Sequence, residues 1–130
     1  MRSLLISLIS FFCLSLYAGD NSTEIRTKGS STVIYIDQIG TSNVARVWCG
    51  LSEGTYTTHK CKNATIDIDQ NGTGNTARAY SQVANHTGNE YKIDQDGNDN
   101  FGYIDADDDS NDMDVIQNGN DNDAEIYMQG

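Results

Sequence analysis

Along residues 63–79, apolar and polar side chains change places at every step. Ala64, Ile66, Ile68 and Gln70 fall on one side, and Thr65, Asp67 and Asp69 on the other. This is the period-two pattern of a strand buried on one face. A turn, Asn71-Gly72-Thr73-Gly74, interrupts it, and a second alternation from Asn75 to Ala79 follows. Two short strands joined by a Gly/Asn turn make a hairpin or a β-arch.

The layout recurs at residues 32–47, 89–104 and 111–126. In every copy a glutamine (Gln38, Gln70, Gln95, Gln117) is followed two residues later by glycine (Gly40, Gly72, Gly97, Gly119). An asparagine comes three residues after the glycine (Asn43, Asn75, Asn100, Asn122), and a small residue two further on (Ala45, Ala77, Gly102, Ala124). Internal repetition of a strand-turn-strand unit predicts a stacked array whose repeats bury a continuous core. Stacked in register about 4.8 Å apart, the four glutamines form one column and the four asparagines another. Ile36, Ile68, Ile93 and Val115 form an apolar column between them. A side-chain amide carries both donors and an acceptor, so each amide column can hydrogen-bond along its length. The competing reading of these amides is ordinary turn chemistry. The fixed glutamine position, inside the alternation, favours the ladder. The glycines recur where the chain reverses, and positive φ is the expected reason for them.

This frame resembles the curlin repeat of bacterial curli, S-x5-Q-x-G-x-G-N-x-A-x3-Q, over residues 32–128. The Gln, Gly, Asn and Ala positions match. The leading Ser is replaced by Thr32, Ala64, Asn89 and Asn111, and the second Gly survives only as Gly74. The final Gln slot holds Cys49, Ser81, Ala106 and Met128. The resemblance implies a short all-β solenoid of about four strand-turn-strand repeats, open-ended and able to stack into cross-β fibres. It also implies a structural subunit of a secreted functional amyloid on the bacterial surface, supporting biofilm matrix, adhesion and aggregation of cells. Its implied partners are further copies of itself, a related curlin subunit or nucleator, and a curli-type outer-membrane secretion channel. Major subunit and nucleator are not separated by these residues.

The composition fits this picture. There is no proline, glycine occurs twelve times, and the net charge is −11. An acidic chain repels phosphates and so argues against nucleic acid as a partner. The length allows one domain. Residues 1–18 read as a secretory signal, with Arg2 at the start, an apolar run over 4–16 and Ala18 at a plausible cleavage point. An uncleaved anchor is the alternative. Residues 19–31 are polar without alternation and read as a flexible arm. The repeat region is 32–130, and no capping segment is visible at either of its ends.

The period is interrupted once. Gln38 to Gln70 is 32 residues, against 25 and 22 for the next two intervals, and the excess lies in the cysteine-bracketed insert 49–62. In an exported protein Cys49 and Cys61 are expected to form a disulfide closing a surface loop, worth about 3 kcal/mol in the chain-entropy picture. A metal site built from the cysteines and His59 is the rival, with no paired spacing to support it. The acidic stretch 105–114 lacks the glycine and the terminal glutamate of a calcium loop, so it reads as a solvated turn. No metal or other cofactor is expected. No nucleophile-base set stands out beside His59 and His86, so the chain does not read as an enzyme.

On the outer face Asp37, Asp69 and Asp94 fall in one column, which Ile116 breaks. Like charges this close repel, and proximity is expected to raise some of their pKa values. Faster assembly at mildly acid pH or with divalent cations is the expectation. Equal rates at pH 5 and pH 8, with and without calcium, would oppose it. The plainer reading is that these aspartates keep the monomer soluble as gatekeepers. A second functional class also stands: a monomeric adhesin or ligand-binding module using the Cys49–Cys61 loop.

Overall fold

The computed structural model describes residues 11–16, 19–27, 29–50, 61–81, 88–107 and 110–129. All regular structure in them is β. In chain order the strands are β1 (Phe11–Leu16), β2 (Thr23–Thr27), β3 (Gly29–Ser30), β4 (Val33–Gln38), β5 (Ala45–Cys49) and β6 (Cys61–Lys62). They continue with β7 (Thr65–Gln70), β8 (Ala77–Ser81), β9 (Glu90–Gln95), β10 (Gly102–Asp107), β11 (Asp112–Gln117) and β12 (Ala124–Gln129). They form two five-stranded parallel sheets. The first has the order β1-β4-β7-β9-β11 and the second the order β12-β10-β8-β5-β2. A two-stranded parallel pair, β3-β6, stands beside them.

Each sequence repeat gives its first strand to the first sheet and its second strand to the second. Equivalent residues stand opposite one another: Ile36 pairs with Ile68, Ile68 with Ile93, and Ile93 with Val115. The unequal intervals between repeats leave this register intact, because the extra residues fall between a second strand and the next first strand.

Parallel sheets are usually covered on both faces and read as continuous apolar runs. Here the return connection runs through the opposite sheet, so each sheet has one buried face and one wet face. That explains why parallel strands carry the clean alternation seen in the sequence. The inner face of the first sheet supplies large residues, Ile34, Ile36, Ile66, Ile68, Tyr91 and Ile93, all buried. The second sheet supplies mostly small ones, including Ala45, Val47, Ala77, Ala79 and Ala106, in the same core cluster. Large against small lets the two layers interdigitate. A buried Ile of this kind contributes about 2 kcal/mol of hydrophobic stabilisation.

One segment differs from expectation. Residues 19–31 hold β2 and β3 rather than a flexible arm. Thr23 pairs with Ala45, Ile25 with Val47 and Thr27 with Cys49. The alternation here, Thr23-Glu24-Ile25-Arg26-Thr27, is masked in the sequence by threonine at the inward positions. Residues 11–16, inside the expected leader, pair with β4 from Phe11↔Val33 to Leu16↔Gln38. Residues 1–10, 17 and 18 lie outside the described residues.

The reason for the repeat glycines also differs. Gly40, Gly72, Gly97 and Gly119 do not have positive φ. What requires glycine is the close approach of stacked turns. A Cβ on Gly72 would land on the carbonyl oxygen of Gly40, one on Gly97 on that of Gly72, and one on Gly119 on that of Gly97. The left-handed residue sits two positions later in the first two repeats, at Ser42 (φ 59°) and Gly74 (φ 75°). The last two repeats carry Asp99 and Asp121 there and turn without a left-handed residue. Their Asn100 and Asn122 amides instead donate to the carbonyls of Asn98 (2.8 Å) and Asn120 (2.7 Å).

Candidate functional site

The residues singled out in the sequence converge on two continuous hydrogen-bonded columns inside the molecule. Alternation places each glutamine at the inner end of a first-sheet strand, just before the turn. Gln38, Gln70 and Gln95 are fully buried. The Gln38 Nε2 donates to Gln70 Oε1 at 2.7 Å, Gln70 Nε2 to Gln95 Oε1 at 2.7 Å, and Gln95 Nε2 to Gln117 Oε1 at 2.8 Å.

The asparagine column lies just past the turn and runs the other way. Asn122 Nδ2 donates to Asn100 Oδ1, Asn100 Nδ2 to Asn75 Oδ1 at 2.5 Å, and Asn75 Nδ2 to Asn43 Oδ1 at 2.8 Å. Each of the first three asparagines also donates back to the carbonyl of its own repeat glycine, Gly40, Gly72 or Gly97. Turn chemistry and ladder chemistry are therefore the same arrangement: Asn closes its own turn and bonds to the turn of the preceding repeat. A buried, fully bonded amide column fixes register, because any slip leaves donors and acceptors without partners in a low-dielectric interior.

The replaced Ser slot is also bonded. Asn89 Oδ1 accepts from the Ala64 amide at 3.0 Å, and Asn89 Nδ2 donates to the Cys61 carbonyl at 3.3 Å. Cys49 and Cys61 form a disulfide with Cα atoms 5.5 Å apart, and both are buried. The bond ties the end of β5 to β6. Residues 51–60 between them lie outside the described residues, as do His59, His86 and part of the acidic turn at 108–109. Among the described residues no set of three or more His, Cys, Asp or Glu side chains could hold a metal ion.

The two ends of the columns are unlike. At the first end, Asn43 Nδ2 donates to Asn21 Oδ1 at 3.2 Å, and Thr23 Oγ1 donates to Gln38 Oε1 at 3.1 Å. The absence of a cap expected from the sequence is thus corrected at this end, where β2 closes both columns. At the other end, among the described residues, nothing pairs with the outer edges of β11 and β12. Inner-face residues that are buried in earlier repeats are uncovered there, Ile126 at 47% and Met128 at 61% exposed.

The outer faces differ from one another. On the first sheet Asp37, Asp69 and Asp94 are in register, with Ile116 beyond them. Burial first, then the Asp94 and Asp37 carboxylates, push the Asp69 carboxyl above its ordinary value, while Lys92 pulls it down. Lys92 reaches Asp94 at 3.6 Å and Asp67 at 3.8 Å. The second sheet carries an aromatic stripe that sequence reasoning missed. Trp48 stacks on Tyr80 with ring centroids 4.0 Å apart and planes 8° from parallel. Tyr103 follows at 5.3 Å from Tyr80, and Tyr127 at 5.7 Å from Tyr103. Arg78 lies over the Phe101 ring at 5.4 Å. In the sequence Trp48, Tyr80 and Tyr127 share one register position, but Asp105 interrupts that column between Tyr80 and Tyr127. Tyr103 pairs with Arg78 and reaches Tyr80 diagonally.

No family model, curated protein or solved structure matches the chain. The likeness to curlins rests on the residues of the repeat.

Proposed function

We propose that the chain is a short β-solenoid of about four curlin-type repeats and the structural subunit of a secreted, self-assembling fibre. The fibre is a functional amyloid on the bacterial cell surface, serving biofilm matrix, adhesion and aggregation. The observation that carries this reading is the pair of amide columns, repeated identically in every layer and reaching an edge where β11 and β12 have no neighbour among the described residues. An exposed parallel edge with unpaired backbone groups and bared apolar side chains is a template for another chain. In-register stacking of like residues is the geometry of cross-β growth. Partners follow from the same reading: other copies, a related subunit or nucleator, and an outer-membrane secretion channel.

The test uses the chain expressed with its leader and recovered from the exported fraction. An N-terminus at Gly19 supports export through a cleaved signal. At micromolar concentration, thioflavin fluorescence should rise sigmoidally, and the product should diffract near about 4.7 and 10 Å. A chain that stays monomeric and β-rich for days overturns the fibre. It would favour the monomeric adhesin, for which the Cys49–Cys61 bond, holding both ends of the 51–60 loop, is the supporting observation.

A further inference from the structure

The segment around β2 has the bonding of half a repeat. Asn21 precedes Asn43 by 22 residues, the same interval that separates Asn100 from Asn122. Asn21-x-Thr23-x-Ile25 reproduces the order Asn122-x-Ala124-x-Ile126. Beside Asn43, Asn21 takes the place that each asparagine has beside its successor. Thr23 Oγ1 supplies Gln38 Oε1 with the donor that Gln70, Gln95 and Gln117 receive from the preceding glutamine. The backbone is joined too: the Thr23 amide donates to the Val44 carbonyl at 3.0 Å and the Gly50 amide to the Thr27 carbonyl at 2.9 Å.

We propose that β2 is a displaceable cap, holding on the second sheet the place that β12 of a second copy takes when two copies join. The proposal rests on the fibre reading and adds the contact through which it is restrained. The polarity of both columns supports it. Glutamine amides donate toward the higher-numbered repeat and asparagine amides toward the lower-numbered one. Placing the β11/β12 end of one copy against β4 and β5 of the next continues both columns in their own directions. Gln117 Nε2 would then donate to Gln38 Oε1, and Asn43 Nδ2 to Asn122 Oδ1. The register that results is Gln117 beside Gln38, Val115 beside Ile36, Ala124 beside Ala45 and Ile126 beside Val47.

Before joining, each participating end is closed locally. Gln117 Nε2 turns back to the Asp123 carbonyl at 2.8 Å, and Gln38 Oε1 is held by Thr23. Joining exchanges these local bonds for ladder bonds of the kind already present between repeats. The cap is the weaker occupant. A hydroxyl stands where an amide belongs, Ile25 is only partly buried, and Glu24 and Arg26 are exposed. On the first sheet the equivalent place beside β4 is taken by β1. Removal of residues 1–18 as a leader would bare β4 and leave β2 as the cover of that end.

The test is the assembly lag of the whole exported chain carrying Asn21→Ala and Thr23→Val, which removes both column bonds and keeps a strand-forming side chain. Glu24→Gln, on the outward side of β2, is the control. The double variant should assemble with a lag several-fold shorter than the parent, and the control should match the parent. Hydrogen exchange supplies a second readout on the unmodified chain: the β2 amides should be protected in the monomer and exchange freely in the fibre. An unchanged or longer lag in the double variant overturns the cap. So do β2 amides that stay protected in the fibre, which would make β2 an ordinary layer of the stack. Those two results leave the fibre reading standing, whereas a parent chain that forms no fibre removes both.

Discussion

The inward and outward columns of the same strands follow different rules. Inward, the two amide columns return the same residue in each layer, four glutamines and four asparagines with isoleucine or valine between them, while apolar columns farther from the turn vary, as in Ile34, Ile66, Tyr91 and Met113. Outward, one column reads Asp37, Asp69, Asp94, Ile116, and its counterpart on the second sheet reads Trp48, Tyr80, Asp105, Tyr127. Backbone pairing is equally regular on both sides, so the difference lies in solvent. A buried amide has only the layers above and below as partners, and its neighbour must be another amide of the same reach. An exposed side chain has water as a partner, and a change from one layer to the next costs little. Repetition in this chain is therefore enforced by polar satisfaction in a dry interior, more than by strand pairing itself.

The strongest way to break the comparison is Gln70→Leu. The substitution nearly conserves volume, so a cavity contributes little. It strands the Gln38 Nε2 donor and the Gln95 Oε1 acceptor, both buried. Each orphaned group costs about 1–3 kcal/mol, so a loss of about 3 kcal/mol is expected, a large share of a domain's usual margin. The check is denaturant unfolding of the monomer followed by Trp48, the one tryptophan in the chain. A loss below about 1 kcal/mol would show that the column is not what holds the register.

The same distinction explains what was legible beforehand. The amide columns are readable because bonding in a dry interior imposes one residue type at a fixed offset from Gly40, Gly72, Gly97 and Gly119. The role of those glycines is not legible in the sequence, because close approach of stacked turns is a property of two layers and leaves no mark within one. β2 escaped because it carries only the second half of the frame, with neither glutamine nor glycine; its one signal was Asn21 standing 22 residues before Asn43. The aromatic stripe escaped because Tyr103 joins it diagonally, from a different register position than Tyr80.

Tyr80→Ala tests the outer aromatic stripe. Tyr80 bridges Trp48 and Tyr103 across two strand boundaries. Aromatic pairs add about 0.5–1.5 kcal/mol beyond the area they bury, and half-exposed rings bury only part of theirs. A loss of about 1–2 kcal/mol is expected, smaller than that of Gln70→Leu, together with a changed Trp48 emission in the folded state. A loss equal to that of the buried glutamine would erase the contrast between inside and outside.

The smallest effect, and the only one with the opposite sign at neutral pH, should come from Asp69→Asn. Burial and the flanking Asp94 and Asp37 carboxylates raise the Asp69 pKa in the folded state above its ordinary 3.8. A raised carboxyl pKa means that folding disfavours the charged form. The parent therefore loses stability as pH rises from about 3.8 through the raised value, and the loss is complete at neutral pH. Asparagine removes that charge, so the variant should be the more stable at pH 7. The Asp69 carboxyl is only partly desolvated, and solvent screening holds the gain below about 1 kcal/mol. The advantage should shrink as pH falls toward 3.8, where the parent takes up its proton, and should shrink at neutral pH as salt is added. Unfolding midpoints of the two chains, compared at pH 7 and near pH 4, check both the sign and the window. A variant less stable at pH 7 would mean that the pull of Lys92 outweighs burial and the two neighbouring aspartates.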